Sequence, residues 1–397
     1  MLPVEAAAKA VDHPIRIGQH VMAVCNACRY CEQYCPVFPA MELRRTFTAA
    51  DLNYLANLCH NCGECLYACQ YAPPHEFGIN VPRTLAEIRV RSYEQYCWPH
   101  ALAGAFRHHG LVTALGLTAA FVVMMLTAML ASDASFWQAD GSADFYAIVP
   151  HNVMVLLFGG VAIFVLAAFG MSARRFWCDM GSDPPPRFDS WGQTPLHGST
   201  QGSVGATHAS PLQRRAIAGR RALRDVLTLR HLHATGVDCT SGEEARSPSR
   251  RWMHHCTFYG FMLCFASTSV AAVYHLLGSV APYDYTSVPV ILGTAGGVGL
   301  LIGPAGLLVL RTRRDPALGD PTQQGLDDGF IVLLFLTSLT GLALLALRHQ
   351  PVMGLLLVVH LSTVLALFVT LPYGKFVHAL YRTAALMKFA AEAPNDR

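Results

Sequence analysis

Six long apolar stretches after residue 110 limit the folds open to this chain. Each has about 19–25 residues, the length that a helix needs to cross ~30 Å of hydrocarbon. Charged residues make up only 14% of the chain, against about 25% in an ordinary globular protein. Helices buried in a large soluble protein explain six such segments less well. The sequence therefore predicts membrane helices at residues 111–131, 149–171, 253–277, 288–310, 329–347 and 352–372.

Lys and Arg are concentrated on one side of these predicted helices. Of the 29 Lys and Arg residues, all except Arg348 lie before residue 110, in the 172–252 and 311–328 connections, or after residue 372. The positive-inside rule assigns such segments to the cytoplasm. We therefore expect a multi-pass protein in the lipid bilayer of a bacterial inner membrane, with both termini in the cytoplasm. The composition does not fit a nucleic-acid partner.

Eight of the thirteen cysteines form two runs of identical spacing, C-x2-C-x2-C-x3-C, between residues 25 and 69. This spacing suits a cubane [4Fe-4S] cluster, and the fourth Cys of each run commonly binds the other cluster. The first predicted cluster has the ligands Cys25, Cys28, Cys31 and Cys69. The second predicted cluster has the ligands Cys59, Cys62, Cys65 and Cys35.

Two other uses of these cysteines fit less well. A disulfide framework belongs to exported proteins, and the opening MLPVEAAAKAVDHPIR lacks the apolar core of a signal peptide. Zinc sites usually combine two C-x2-C pairs without the additional cysteines found here. The other five cysteines lack ligand spacing and are expected to be ordinary thiols: Cys97, Cys178, Cys239, Cys256 and Cys264.

The segment between the two cysteine runs, PAMELRRTFTAADLNYLANL, has helical periodicity, with Leu52, Leu55 and Leu58 spaced for one face. This favours an α-helical dicluster ferredoxin-like module over a ferredoxin built from two hairpins. The predicted fold class is all-α, with this module followed by a six-helix transmembrane bundle. The predicted divisions are a cytoplasmic module, a pair of membrane helices, a basic cytoplasmic connection and a four-helix membrane domain, at residues 1–110, 111–171, 172–252 and 253–390.

Local composition predicts three further features. Residues 181–211 are rich in Gly, Ser and Pro, which is typical of a flexible linker. The next segment, QRRAIAGRRALRDVLTLRHL, is a predicted basic amphipathic helix that lies on anionic lipid or docks an acidic partner. In the fourth apolar stretch, small-xxx-small spacing predicts close helix packing through Gly293, Gly297, Gly299 and Gly303.

Histidines occur at matched depths in the third and sixth apolar stretches. Ionisable residues at membrane depth are functional candidates, and two antiparallel helices with imidazoles at shared levels suit bis-histidine haem b. We therefore predict one or two haem b groups. The inner haem is predicted to bind His255 and His378, with His254 nearly equivalent to His255. The outer haem is predicted to bind His275 and His360. The alternative is a set of interfacial histidines without a ligand.

The two cysteine runs, RRWMHHCTFYGFMLCFAS and TLPYGKFVHALYR together resemble the tricarballylate utilization protein B family, also called citrate utilization protein B. The resemblance covers residues from about 20 to 390. It implies that iron–sulfur clusters and haem take electrons from a reduced flavoprotein, tricarballylate dehydrogenase, and pass them to acceptors in the membrane.

The last four apolar stretches also resemble the cytochrome b subunit of respiratory nitrate reductase. In that family the last membrane helix carries two haem-ligating histidines at the spacing seen here between His360 and His378. The other haem-binding helix of that family has its two histidines closer together than His255 and His275. This difference weakens the prediction of an outer haem more than that of an inner one.

These features favour an electron-transfer protein that connects a soluble donor to the membrane. No Gly-rich dinucleotide fingerprint follows a predicted strand, so we expect a separate FAD-dependent dehydrogenase as donor and a membrane quinone as acceptor. No independent substrate site is evident. The chain is expected to be an electron-transfer component of an oxidoreductase system, with quinone reduction as its candidate reaction. The alternatives are a heterodisulfide-reductase-type membrane subunit, a membrane-anchored redox sensor and a tricarboxylate transporter.

Overall fold

The computed structural model describes residues 4–100, 103–131, 145–181, 211–232, 248–279 and 281–392. Within these ranges the regular elements are all helices and no strand occurs. The predicted all-α fold class is therefore confirmed. Most of the predicted linker at 181–211, together with Cys239, lies outside the described residues.

Five helices form the N-terminal region that carries the cysteines. The predicted helix between the two cysteine runs is divided in two, because Thr48 and Asp51 form a capping box that starts a new helix. The face formed by Leu52, Leu55 and Leu58 is fully buried, as the periodicity predicts. The helices are α1 (Val4–Cys28), α2 (Val37–Glu42), α3 (Ala49–Leu58), α4 (Glu64–Tyr67) and α5 (Val81–Tyr96).

Six helices long and apolar enough to cross a membrane follow, as predicted. A short helix, α7 (Phe145–Ile148), precedes the second of them, and α9 (Pro211–Leu227) precedes the third. The six are α6 (Ala103–Ala131), α8 (His151–Met180), α10 (Ser249–Leu276), α11 (Val288–Thr312), α12 (Pro321–Ala346) and α13 (Met353–Thr370). The chain is thus compatible with a multi-pass membrane protein.

Glycines bring α10 and α11 into close contact. A Cβ atom on Gly296 would lie 2.8 Å from the backbone oxygen of Gly260, and one on Gly303 would lie 2.4 Å from the hydroxyl of Thr257. Side chains at these positions would push the two helices apart. The predicted close packing of the fourth apolar stretch is confirmed, and it fixes which face of α10 turns toward α11.

The C-terminal helix α14 (Val377–Glu392) packs into the N-terminal core. Tyr381 is fully buried there beside Tyr93 and against Phe176 at the end of α8. Arg44 donates to Glu392 at 2.9 Å, and both side chains are buried. The cysteine-bearing helices are therefore held directly against the ends of the membrane helices, while the predicted domain divisions stay predictions.

The predicted basic helix is present as α9, and it packs along α14. Ala218 and Ala222 are its buried positions, whereas Ile217 and Leu223 are exposed. One face of α9 therefore contacts the protein itself, which neither the lipid nor the acidic-partner interpretation had included.

Candidate redox site

The two cysteine runs occupy similar local structures. In the first run, Cys25 and Cys28 lie in the last turn of α1, and Cys31 and Cys35 follow in the turns before α2. In the second run, Cys59 directly follows α3, Cys62 precedes the short helix α4, Cys65 lies within it and Cys69 follows it. Turns and the N-terminal ends of helices expose backbone N–H groups, which suits sites that collect negatively charged sulfur atoms.

The thiols of the first three cysteines lie beside the fourth thiol of the other run. Burial raises the pKa of Cys25 to about 12, and the neighbouring thiols of Cys69, Cys31 and Cys28 contribute to that rise. Burial raises the pKa of Cys31 to about 12 as well, again with Cys69 and Cys28 as neighbours. The amide of Gln70 donates to the sulfur of Cys28 at 3.8 Å. The structure thus brings together the four ligands predicted for the first cluster.

The second group likewise combines the first three cysteines of its own run with the fourth cysteine of the other run. Burial raises the pKa of Cys35 well above its usual value, and its neighbours are the thiols of Cys62 and Cys59. Burial raises the pKa of Cys65 similarly, with Cys62, Cys35 and Cys59 as its first neighbours. Each run therefore sends its fourth cysteine to the other group, as the predicted ligand sets require.

Iron–sulfur clusters fit these two groups of thiols. Grouped thiolates repel one another, so raised pKa values favour the protonated state unless a cationic iron core compensates. Backbone N–H groups of Val37 and Phe38 donate to the sulfur of Cys35, and that of Glu64 donates to Cys62. Among the described residues no three His, Cys, Asp or Glu side chains are arranged for a single metal ion. A cubane needs no such convergence, because each thiolate binds a different iron.

The first group lies near the protein surface. A cavity of about 370 Å³ opens there, and Tyr30 beside it is 58% exposed. Phe77, in the loop after the second run, is 45% exposed and contacts Tyr71 at the cavity wall. Five of the eight thiols line this cavity, namely Cys25, Cys28, Cys31, Cys65 and Cys69.

The second group lies against the turn that follows α11. Gly63 has φ +94°, and a Cβ atom there would lie 2.9 Å from both terminal methyls of Leu318. The hydroxyl of Tyr67 donates to Asp315 at 3.3 Å, and the amide of Asn80 donates to the Ala317 carbonyl at 2.9 Å. These contacts dock the second run onto the ends of the membrane helices.

At the end of the bundle nearest the cysteines, the structure places His254, rather than His255, beside His378. The two ring centroids are 6.1 Å apart. Two imidazoles bound in line to one metal have centroids roughly 6 Å apart, because each metal–nitrogen bond is about 2 Å. Nδ1 of His378 contacts the Lys375 carbonyl at 2.6 Å; donation through that atom leaves Nε2 free to bind a metal. Burial, followed by the charge of Lys375, lowers the pKa of His378 and favours the neutral form that metals bind.

His255 lies on another stripe of α10. Its ring stacks on Tyr259 at 5.6 Å and contacts Trp252. Tyr259 and Met262 on that stripe are 45% and 46% exposed, so the stripe points away from the bundle. The stripe of His254 instead includes Phe261, whose ring contacts Phe376 beside His378. This i, i+7 pattern of apolar contacts is the sequence signal that favours His254.

The two histidines predicted for an outer haem are not brought together. Nδ1 of His360 lies 3.0 Å from the Thr340 hydroxyl, and its ring packs against Gly341 of α12. His275 instead stacks on His151, for which the sequence indicates no partner, with centroids 4.2 Å apart. Both of those histidines end a predicted span at the outer face, and this shared level is the signal for their contact.

Comparison with known proteins agrees with this architecture. Residues 105–397 match the family described as "Citrate utilization protein B", and residues 18–96 match its "Fer4-like domain". The chain is also similar to the citrate utilization protein B of Escherichia coli, with 45% identity over 387 residues, covering 97% of this chain and 94% of that protein. No solved structure matches the chain.

Proposed function

This chain belongs to the citrate utilization protein B family, and we propose that it carries electrons from a cytoplasmic flavoprotein through iron–sulfur clusters and haem b to a membrane quinone. The family's Fer4-like domain indicates an iron–sulfur electron-transfer role. The observation that supports this most is the exchange of the fourth cysteine between the two runs. The second run also binds Arg250 and Arg382, which lie on the two helices that carry the His254–His378 pair.

The two thiol groups hold two [4Fe-4S] clusters in this proposal. Each cluster supplies reversible one-electron chemistry when bound. The protein's own contribution is to bury the sulfur atoms, to separate the two groups and to donate backbone N–H groups to Cys35 and Cys62. These donors stabilise negative charge on sulfur.

One b-type haem, between α10 and α14, completes the proposal. His254 and His378 are its ligands, and the Lys375 carbonyl orients the second imidazole. The separation of His275 from His360 supports a single haem rather than two.

The donor is a separate FAD-dependent dehydrogenase, because the chain carries no dinucleotide fingerprint of its own. The name of the Escherichia coli relative connects this route to the use of citrate, and tricarballylate is the related acid whose dehydrogenase is the proposed donor. The open face beside Tyr30 is the side that such a donor would approach. The positive-inside pattern supports an inner-membrane location with both termini in the cytoplasm.

A reduced-minus-oxidised absorption spectrum of the detergent-purified protein tests the proposal. We expect about eight non-haem iron atoms per chain, determined by iron analysis. We also expect one b-type haem that dithionite reduces and an added quinone analogue reoxidises. His254→Ala and His378→Ala should abolish the haem signal, whereas the matched control His255→Ala should retain it. An iron-complete protein without haem would overturn the haem site, and two haems per chain would overturn the single-site proposal.

A further inference from the structure

Four arginines from four separate elements converge on one short backbone segment. They donate to carbonyl groups within residues 56–61, the segment that ends α3 and begins the second cysteine run. We call this set the arginine cradle, and its members are Arg89 of α5, Arg250 of α10, Arg314 after α11 and Arg382 of α14.

The carbonyl groups beside two cysteines receive most of these bonds. The Cys59 carbonyl accepts from Arg89 at 2.9 Å and also from Arg382. The Asn61 carbonyl, next to Cys62, accepts from Arg250 at 2.9 Å and from Arg314 at 2.6 Å. The guanidinium groups therefore contact the backbone of Cys59 and of the residue that precedes Cys62, and both cysteines belong to the second group.

Acidic side chains also lie near the cradle. Asp327 pairs with Lys375 at 2.9 Å, and its charge also acts on Arg314. Glu64 is a further acidic side chain near Cys62. Guanidinium groups are charged at neutral pH, so the cradle carries positive charge.

The charges act on the sulfur atoms in the expected direction. Arg250 lies close enough to Cys62 for its positive charge to stabilise negative charge on that sulfur. The first run has a weaker counterpart, in which Arg29 donates to the Asn26 carbonyl at 3.1 Å. Since Arg29 is exposed, whereas Arg89 is buried and the other three arginines are half-buried, water screens the charge of Arg29 more than that of the cradle.

We propose that the arginine cradle holds the reduction potential of the second cluster above that of the first. This inference rests on the proposed function. Adding one electron makes a cluster more negative, and nearby buried positive charge stabilises that reduced state. The cradle thereby favours electrons on the cluster docked against the membrane helices over the cluster near the surface.

A redox titration of the full-length protein, followed by electron paramagnetic resonance, separates this role from a purely structural one. The two cluster signals are assigned by their loss in Cys28→Ser and Cys62→Ser. The comparison is made at the midpoint potential that the second cluster has in the wild-type protein. At that potential, the ratio of reduced to oxidised second cluster should be about tenfold lower in Arg314→Gln. The first cluster should be unchanged, and Arg314→Lys should restore most of the ratio because it keeps the charge.

Arg348→Gln is the matched control. Arg348 is a buried arginine that donates to the Tyr283 carbonyl at 2.7 Å, in the connections of the opposite face. If Arg314→Gln loses iron, the titration is repeated with Arg250→Gln, which removes the other donor to the Asn61 carbonyl and should lower the same ratio. Equal potentials in the variant and the wild type, or the same shift in Arg348→Gln, would overturn the proposal. An absence of iron in the wild-type protein would instead refute the proposed function.

Discussion

The two cysteine runs share one spacing but have different surroundings. The first opens to a surface cavity beside exposed Tyr30, whereas the second is docked by Gly63 onto the turn after α11. Local spacing brings the first three thiols of each run together, as binding to a cubane requires, and the fourth thiol joins the other group. The surroundings come from contacts with residues more than 200 positions away, and these contacts distinguish two sites that the motif alone makes identical.

This difference gives the two thiol groups separate tasks in the proposed electron route. The accessible group can meet a soluble partner, and the docked group is held by Arg250 and Arg382, on the helices that carry the His254–His378 pair. Variants that affect one group and spare the other therefore test the comparison directly.

Loss of a ligand should have the largest effect. Cys28→Ser and Cys62→Ser should each lower the iron content by about four atoms per chain, because each removes a ligand of a different cubane. Iron and acid-labile sulfide are measured per chain in detergent. Cys178→Ser is the control, since Cys178 is an exposed thiol outside both runs. Unchanged iron in either ligand variant would contradict the assignment of that group.

Accessibility should have the next largest effect. When ferricyanide or a strong chelator is added, about half of the iron should leave in a fast phase, since the group near Tyr30 is open to solvent. The docked group should release its iron more slowly. Cys28→Ser should lack the fast phase, and Cys62→Ser should lack the slow one. A single phase in the wild-type protein would show that the two groups are equally accessible.

The spacings and periodicities within the sequence were sufficient to predict much of this molecule. The six membrane helices follow from length and hydropathy, and the buried face of Leu52, Leu55 and Leu58 follows from its period. The thiol groups follow from spacing within each run. All of these features depend on residues close together in the chain.

Features that depend on distant contacts could not be predicted in the same way. Choosing between His254 and His255 requires the rotation of α10, and adjacent residues differ by about 100° around a helix. Glycine contacts with α11 set that rotation. No local pattern predicts the arginine cradle either, since Arg382 and the Cys59 carbonyl to which it donates are 323 positions apart in the sequence.

Two glycines with positive φ allow the smallest and most selective test of the comparison. Gly63 lies within the docked run and has φ +94°, whereas Gly78 lies in the loop after that run, next to Ile79 at the wall of the open cavity, and has φ +53°. An added Cβ at Gly63 would meet Leu318 at 2.9 Å, whereas nothing lies within 4 Å at Gly78. Both alanine variants bear a conformational cost of about 1–2 kcal/mol, and overpacking adds about 1–3 kcal/mol at Gly63 alone.

We therefore expect Gly63→Ala to lower the temperature at which cluster absorbance is lost by more than Gly78→Ala does. Leu318→Ala, combined with Gly63→Ala, should recover part of the difference because it makes room for the new methyl group. Recovery would show that the cost arises from docking onto the turn after α11. Equal losses in the two glycine variants would mean that only backbone conformation matters, and that the second run is not held by its membrane-side contacts.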